Sequence, residues 1–310
     1  MPTTPMLNRE LNEAPPNPLG LDGIEYVEYA TSRPQALGQV LEMMGFRPVA
    51  RHRSREVMLY RQGSMNVIVN AQPGVMRNQR GMRAPTEHPR IVAIALRVRD
   101  ARAAYEYALE RGAWDVPMHA QVMELNIPGI HGPGGAHLYF VDRHKEFSIY
   151  DVDFTEIPTV DPKPPALAGM RFFGIVQYVG RDRTEDWVDY YRQLFGFSVL
   201  PEEQRYGIMP KGTLIESPCR SFLVQLVEPD PTTLVYDEEE LFHRIGLGTP
   251  DVPAAVAELR GRGVEFIESV PGGGIERGAL TRHYQQTLVF ELVRDLHAAA
   301  AGSGAAGAAS

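Results

Sequence analysis

A carboxylate set in an apolar strand is the first candidate for chemistry in this chain. Glu291 stands in LVFELVR, and turned inward it would need a partner, because a buried unpaired charge is far too costly for a folded domain. His283 precedes it across a turn at Gln285 and Gln286, near enough in the chain for an imidazole to approach the carboxylate. His243, in FHRIGLGTPDVP, lies on another strand. A carboxylate with imidazoles from neighbouring strands is a donor set for a divalent metal. Each group also has a plainer reading: Glu291 as a surface strand residue, His243 as a satisfied or exposed strand histidine. Other groups carry less. His52, His131 and His137 show no ligand spacing, and GPGG at 132–135 reads as a turn because no helix follows it. Cys219 is the only cysteine, which excludes an intrachain disulfide framework and a multi-thiolate zinc site and leaves it a small structural residue.

Composition narrows the partners. A formal net charge of −8 argues against nucleic acid and against an anionic membrane surface. No stretch reaches the roughly 18 apolar residues that span a bilayer, and the polar, Pro-rich start is unlike a signal peptide, so a cytoplasmic location is expected. The expected partner is a small molecule, with assembly as a homo-oligomer left open.

The elements that must position these residues come from a repeat. A strand, an amphipathic helix and a terminating glycine recur four times: IEYVEYATSRPQALGQVLEMMGF, IALRVRDARAAYEYALERGA, GIVQYVGRDRTEDWVDYYRQLFGF and IGLGTPDVPAAVAELRGRGVEF. One such unit cannot bury its apolar faces alone and must pack against its copies. Further strands follow the helices, as in EVMLYRQGSMNVIVN and TLVFELVR, so the unit is βαβββ and the fold class α+β. Gly45, Gly112, Gly196 and Gly263 stand where a helix C-cap needs positive φ, and Thr184 is the expected N-cap of the third helix. Residues 1–19 read as a disordered arm, 20–154 as a first domain, the Pro-rich 155–168 as a linker, 169–296 as a second domain and 297–310 as a flexible tail.

Paired βαβββ units resemble the vicinal oxygen chelate superfamily, in which two units curl their sheets into a cupped half-barrel. Four units in two domains, with RHRSREVMLYRQGSMNVIVN, SIYDVDF, WVDYYRQLFGF and LVFELVR in order, resemble the 4-hydroxyphenylpyruvate dioxygenase family. The resemblance implies an Fe(II)-dependent dioxygenase of an aromatic 2-oxo acid. Its first domain is a scaffold without metal. In its second domain one His from the first strand of each unit, and a Glu from the last strand, hold iron. Two imidazoles and a carboxylate on one face leave positions where a 2-oxo acid chelates and O2 binds beside it.

Carried onto this sequence, the resemblance puts Glu291 at the carboxylate position but removes both imidazoles. The fourth-unit His position lies seven before Asp251, which is Arg244; the third-unit position is Gly174. His243 is one residue out of register and is expected to point away. The family's substrate-side Asn corresponds to Val227, and LHAAAAGSGAAGAAS takes the place of its closing C-terminal helix. In the first domain the corresponding positions are expected at Gly23, at Ala93 and near Tyr150 or Asp151. These departures favour a second reading: a metal-free relative or partner subunit, with Arg244 and Glu291 paired in the cup and available to a small aromatic or 2-oxo acid.

Overall fold

The computed structural model describes residues 16–72, 87–117, 125–145, 147–201, 212–229, 239–267 and 276–295. Residues 1–15 of the expected arm and the expected tail, 297–310, lie outside them.

The first unit comprises β1 (Gly23–Ala30), α1 (Pro34–Met43), β2 (Arg47–His52), β3 (Val57–Gln62) and β4 (Met65–Asn70). The second has β5 (Arg90–Arg97), α2 (Ala101–Glu110), β6 (Gly129–His131) and β7 (His137–Val141), followed by α3 (Ile149–Asp153) and β8 (Phe154–Glu156). The third unit is β9 (Arg171–Tyr178), α4 (Thr184–Phe195), β10 (Ser198–Val199), β11 (Thr213–Glu216) and β12 (Leu223–Val227). The fourth is β13 (Leu241–Thr249), α5 (Val252–Gly261), β14 (Gly278–Leu280) and β15 (Phe290–Arg294). Among the described residues, the first strand after the helix in the second and fourth units shrinks to single bridges, Asp115 with Ile130 and Phe266 with Thr281. Among the described residues the full βαβββ pattern is made of strands in the first and third units, and with a single bridge in place of one strand in the second and fourth.

The units assemble into two open mixed sheets, in the order β6-β7-β5-β1-β4-β3-β2-β8 and β10-β11-β12-β9-β13-β15-β14. In each sheet the first strands of the two units run antiparallel at the centre, β1 beside β5 and β9 beside β13. Each of these strands then pairs in parallel with the last strand of its own unit. The two units of each sheet are thus related by an approximate twofold passing between the central strands.

Helix faces explain which side of the sheets is the core. Leu37 and Leu41 of α1, Ala104 and Ala108 of α2, Val188 and Tyr191 of α4, and Val256 and Leu259 of α5 recur at helical spacing and join one core cluster. Apolar and aromatic residues on the other faces form separate clusters: Tyr26, Ile68, Ala95 and Tyr150 in the N-terminal cup, Phe173, Leu223 and Val293 in the C-terminal one. The halves are joined by an Arg90–Glu239 ion pair and by Thr287 Oγ1 donating to the Pro89 carbonyl at 2.6 Å.

Local signals behave as their chemistry requires, with informative exceptions. Asp100 and Asp251 cap α2 and α5 by accepting from Ala103 N and Ala254 N, both at 2.9 Å. Gly196 ends α4 at φ 76°, and a Cβ there would lie 2.3 Å from the Pro16 carbonyl oxygen. Thr184 is not the N-cap of α4 but its first residue. Glu228, just past β12, accepts from the Thr184 N–H at 3.1 Å and from its hydroxyl at 2.5 Å, so a side chain distant in sequence supplies the cap. Those hydrogen bonds hold the Glu228 carboxyl below its ordinary pKa. Residues 16–19, read as arm, pack on the domain: Leu19 is buried, and Asn17 brackets Leu21 through both its amide atoms. Of the expected linker, Thr155 and Glu156 extend the N-terminal sheet as part of β8. Pro162 and Pro164 accept hydrogen bonds from Arg61 and from Gly63 N.

Candidate functional site

The register of the C-terminal sheet brings Arg244 and Glu291 together. Glu291 lies opposite Gly246 on β13, and Gly246 lies opposite Gly174 on β9. Two glycines facing each other leave the surface beside Glu291 without side chains, and Arg244, two residues from Gly246 on the same strand, reaches diagonally across it. Its Nε donates to Glu291 Oε2 at 3.0 Å, with the two side chains only 3% and 5% exposed. Pairing at this depth is what makes both charges tolerable. Nη2 of Arg244 is buried without a hydrogen-bond partner among the described residues.

His243 does not point away. A bulge between Phe242 and Arg244 interrupts the pairing with β9, and the extra residue turns the imidazole to the side of its neighbour. His243 stacks on Tyr178, with centroids 4.3 Å apart and planes within 14°, and its Nδ1 lies 3.5 Å from Arg244 Nη1. Burial, then the Arg244 charge, then His283 push its pKa down to about 4, so the ring is neutral at neutral pH. His283 is exposed, beyond the β14 edge of the sheet. No cluster of three or more His, Cys, Asp or Glu suited to a metal occurs among the described residues. The groups at these positions do not fit Fe(II): Gly174 offers no side-chain donor, a guanidinium is a hydrogen-bond donor without a ligating lone pair, and Glu291 is engaged by that guanidinium.

The N-terminal counterparts of these positions differ from those expected. Ala95, five residues before the capping Asp100, matches Gly246, five before Asp251; its partners are Tyr26 on β1 and Tyr139 on β7. Tyr26 therefore stands where Gly174 does and Tyr139 where Glu291 does, in place of Gly23 and of Tyr150 or Asp151. The first-strand position shifts from Gly23 because α4 has 12 residues against 10 in α1 and a longer approach loop. Tyr150 instead enters the cup from α3. Tyr26, Ala93 and Tyr139 line a cavity of about 540 Å³. His137 lies on its wall, its Nδ1 3.1 Å from the Tyr139 hydroxyl; burial and then His131 lower its pKa to about 4.

Paired units, central antiparallel strands and convergent cup positions define a two-domain protein of the vicinal oxygen chelate superfamily. Residues 16–155 match the family described as "Hydroxyphenylpyruvate dioxygenase, HPPD, N-terminal". A 4-hydroxyphenylpyruvate dioxygenase of Pseudomonas aeruginosa is 32% identical over 82% of this chain and 73% of its own length. Hemolysin VllY of Vibrio vulnificus is 34% identical over 81% of this chain and 73% of its own. The 4-hydroxyphenylpyruvate dioxygenase of Pseudomonas sp. is 42% identical over 58% of this chain, a match that spans half the relative's length. Among solved structures, a 4-hydroxymandelate synthase variant from Streptomyces coelicolor shares the fold at TM-score 0.68 and 16% identity, over 89% of this chain and 93% of that one. The chain belongs to the 4-hydroxyphenylpyruvate dioxygenase family. Among its described residues no helix is long and apolar enough to cross a membrane.

Proposed function

We propose that this family member binds a small aromatic or 2-oxo acid in its C-terminal cup, with Arg244 supplying the positive charge that iron supplies elsewhere in the family, and that it does not run the dioxygenase reaction. The observation that carries the reading is the buried Arg244–Glu291 pair at the ligand positions. Glu291 uses the Nε edge of the guanidinium, while Nη2 remains a buried donor without a partner among the described residues. A buried donor left unsatisfied is costly, and a ligand carboxylate would satisfy it with a charge-assisted hydrogen bond. The stacked rings of His243 and Tyr178 beside it offer a flat apolar wall to an aromatic body.

The test needs purified full-length chain expressed with ample iron. Expected results are iron well below one per chain, no O2 uptake with 4-hydroxyphenylpyruvate, and calorimetric binding of 4-hydroxyphenylpyruvate or 4-hydroxyphenylacetate that Arg244→Met abolishes. The competing reading is an Fe(II) dioxygenase that recruits Glu291, His243 and His283, and it draws on His283 lying close enough to depress the pKa of His243. Stoichiometric iron, lost in His243→Ala and accompanied by substrate-dependent O2 uptake, would establish that reading and overturn the proposal.

A further inference from the structure

The N-terminal cup contains polar machinery that neither the fold nor the C-terminal site requires. Four strands adjacent in the sheet, β5, β1, β4 and β3, each contribute one side chain to a continuous network. Arg97 Nε donates to Glu25 Oε2 at 2.5 Å, Asn66 Nδ2 donates to Glu25 Oε1 at 3.2 Å, and Arg61 Nε donates to Asn66 Oδ1 at 2.7 Å. Glu25 and Asn66 are 2% and 4% exposed, so the middle of the network is dry, while its two ends are guanidinium groups. A sheet face meant only to pack would carry aliphatic residues at these positions, as Val49 and Leu59 of the same cup do.

Those guanidinium groups are fixed largely by neutral atoms. Arg61 Nη1 donates to the Pro162 carbonyl at 2.8 Å, and its plane lies over the Tyr150 ring at 5.3 Å. Arg97 Nη2 donates to the Ser64 carbonyl, and Arg53 donates to the carbonyls of Phe154 and Asp151. Carbonyl partners orient a guanidinium without cancelling its charge. Among the described residues neither Arg61 nor Arg53 has a carboxylate partner, and the one carboxylate in the network is shared by Arg97 and Asn66. Arg53, Arg61, Arg97 and Lys145 line one cavity of about 1300 Å³, and His144 on its wall has both ring nitrogens buried without partners among the described residues. The cavity is also lined by Lys163 and by the carboxylates of Glu25, Asp151 and Glu156, so its cations still outnumber its anions, a local positive excess in a chain of net charge −8.

We propose that the N-terminal cup is a second binding site, for a small organic anion whose carboxylate or phosphate is held by Arg61, Arg97 and Arg53 and whose apolar part lies against Tyr150 and Phe154. The guanidinium fork matches either oxyanion in bidentate geometry, and preorganisation by carbonyls lowers the ordering cost of binding. The site lies on the other sheet from Arg244 and is independent of the function proposed for the C-terminal cup.

Calorimetry on the full-length chain tests this with inorganic phosphate and with benzoate as separate probes. The expected result is a site that Arg61→Gln weakens at least tenfold and Arg244→Met leaves in place, separate from any benzoate binding in the C-terminal cup, which Arg244→Met removes. Binding of phosphate alone identifies a phosphate-bearing ligand, and binding of benzoate an organic carboxylate. Arg61→Lys keeps the charge but loses the fork and should bind at intermediate strength. If Arg61→Gln lowers the melting temperature sharply, Arg53→Gln, which is exposed and outside the network, should still weaken binding severalfold. In protein carrying Arg244→Met, no binding of either anion, or binding that survives both Arg61→Gln and Arg53→Gln, would overturn the proposal.

Discussion

The two cups are copies of one architecture with opposite interiors. In the C-terminal cup the charged pair is buried: Arg244 meets Glu291 through Nε beside facing glycines and keeps Nη2 as a donor, and the apolar cluster around them is small. The N-terminal cup has tyrosines at the matching positions and carries its charges at neighbouring strand positions, in a network with two guanidinium ends on an open cavity. The difference teaches that the twofold fixes where side chains converge but not what they do there. A lone buried pair leaves one guanidinium edge for a ligand, whereas a network braced largely by backbone carbonyls leaves several guanidinium groups on one cavity.

The sharpest way to break the contrast is to remove one partner of the buried pair. Glu291→Gln strands the Arg244 charge in the interior and should cost about 3 to 5 kcal/mol in urea denaturation, with much of the loss recovered in the double substitution Arg244→Met with Glu291→Met. A loss below about 1 kcal/mol would mean that water reaches the pair and that the two cups are alike.

Next in size is the response to acid, because each cup holds one histidine whose folded pKa is about 4 against an ordinary 6.5, His137 in the first and His243 in the second. Both are kept neutral by the fold while the unfolded chain takes up protons. Their contribution is therefore fully present above pH 6.5 and is lost as pH falls towards about 4. Stability measured across that window should decline, and His137→Gln and His243→Gln should each flatten the slope. A profile that neither substitution alters would show that both rings are hydrated.

The N-terminal network should tolerate loss of its carboxylate better than the buried pair does, since Arg97 is 22% exposed and can turn to water. Glu25→Gln is expected to cost about 1.5 to 3 kcal/mol. A larger cost than that of Glu291→Gln would invert the comparison. The smallest effects belong to features the halves share: Asp100→Ala and Asp251→Ala should each cost about 1 kcal/mol by removing equivalent helix caps, and unequal losses would reveal asymmetry outside the cups.

Much of this was legible in the residue order. The strand–helix–glycine repeat announced two sheets of paired units, and local chemistry set the helix limits, with Asp caps at the starts of α2 and α5 and positive-φ glycines after the helix ends. An isolated Glu291 in an apolar strand demanded a partner, and counting back from Asp251 found Arg244. Such signals lie within a few residues of what they control, so the sequence carries them whole. Tertiary structure alone decided the rest. His243 faces Arg244 only because β13 bulges against β9, and Glu228 caps α4 only because β12 ends beside it. Tyr26 and Tyr139 replace the expected residues because loop and helix lengths differ between units, while strand pairing tolerates no slip. The Arg97–Glu25–Asn66–Arg61 network spans four strands whose members lie as far as 72 residues apart, as Arg97 and Glu25 do, so only the assembled sheet brings it into being.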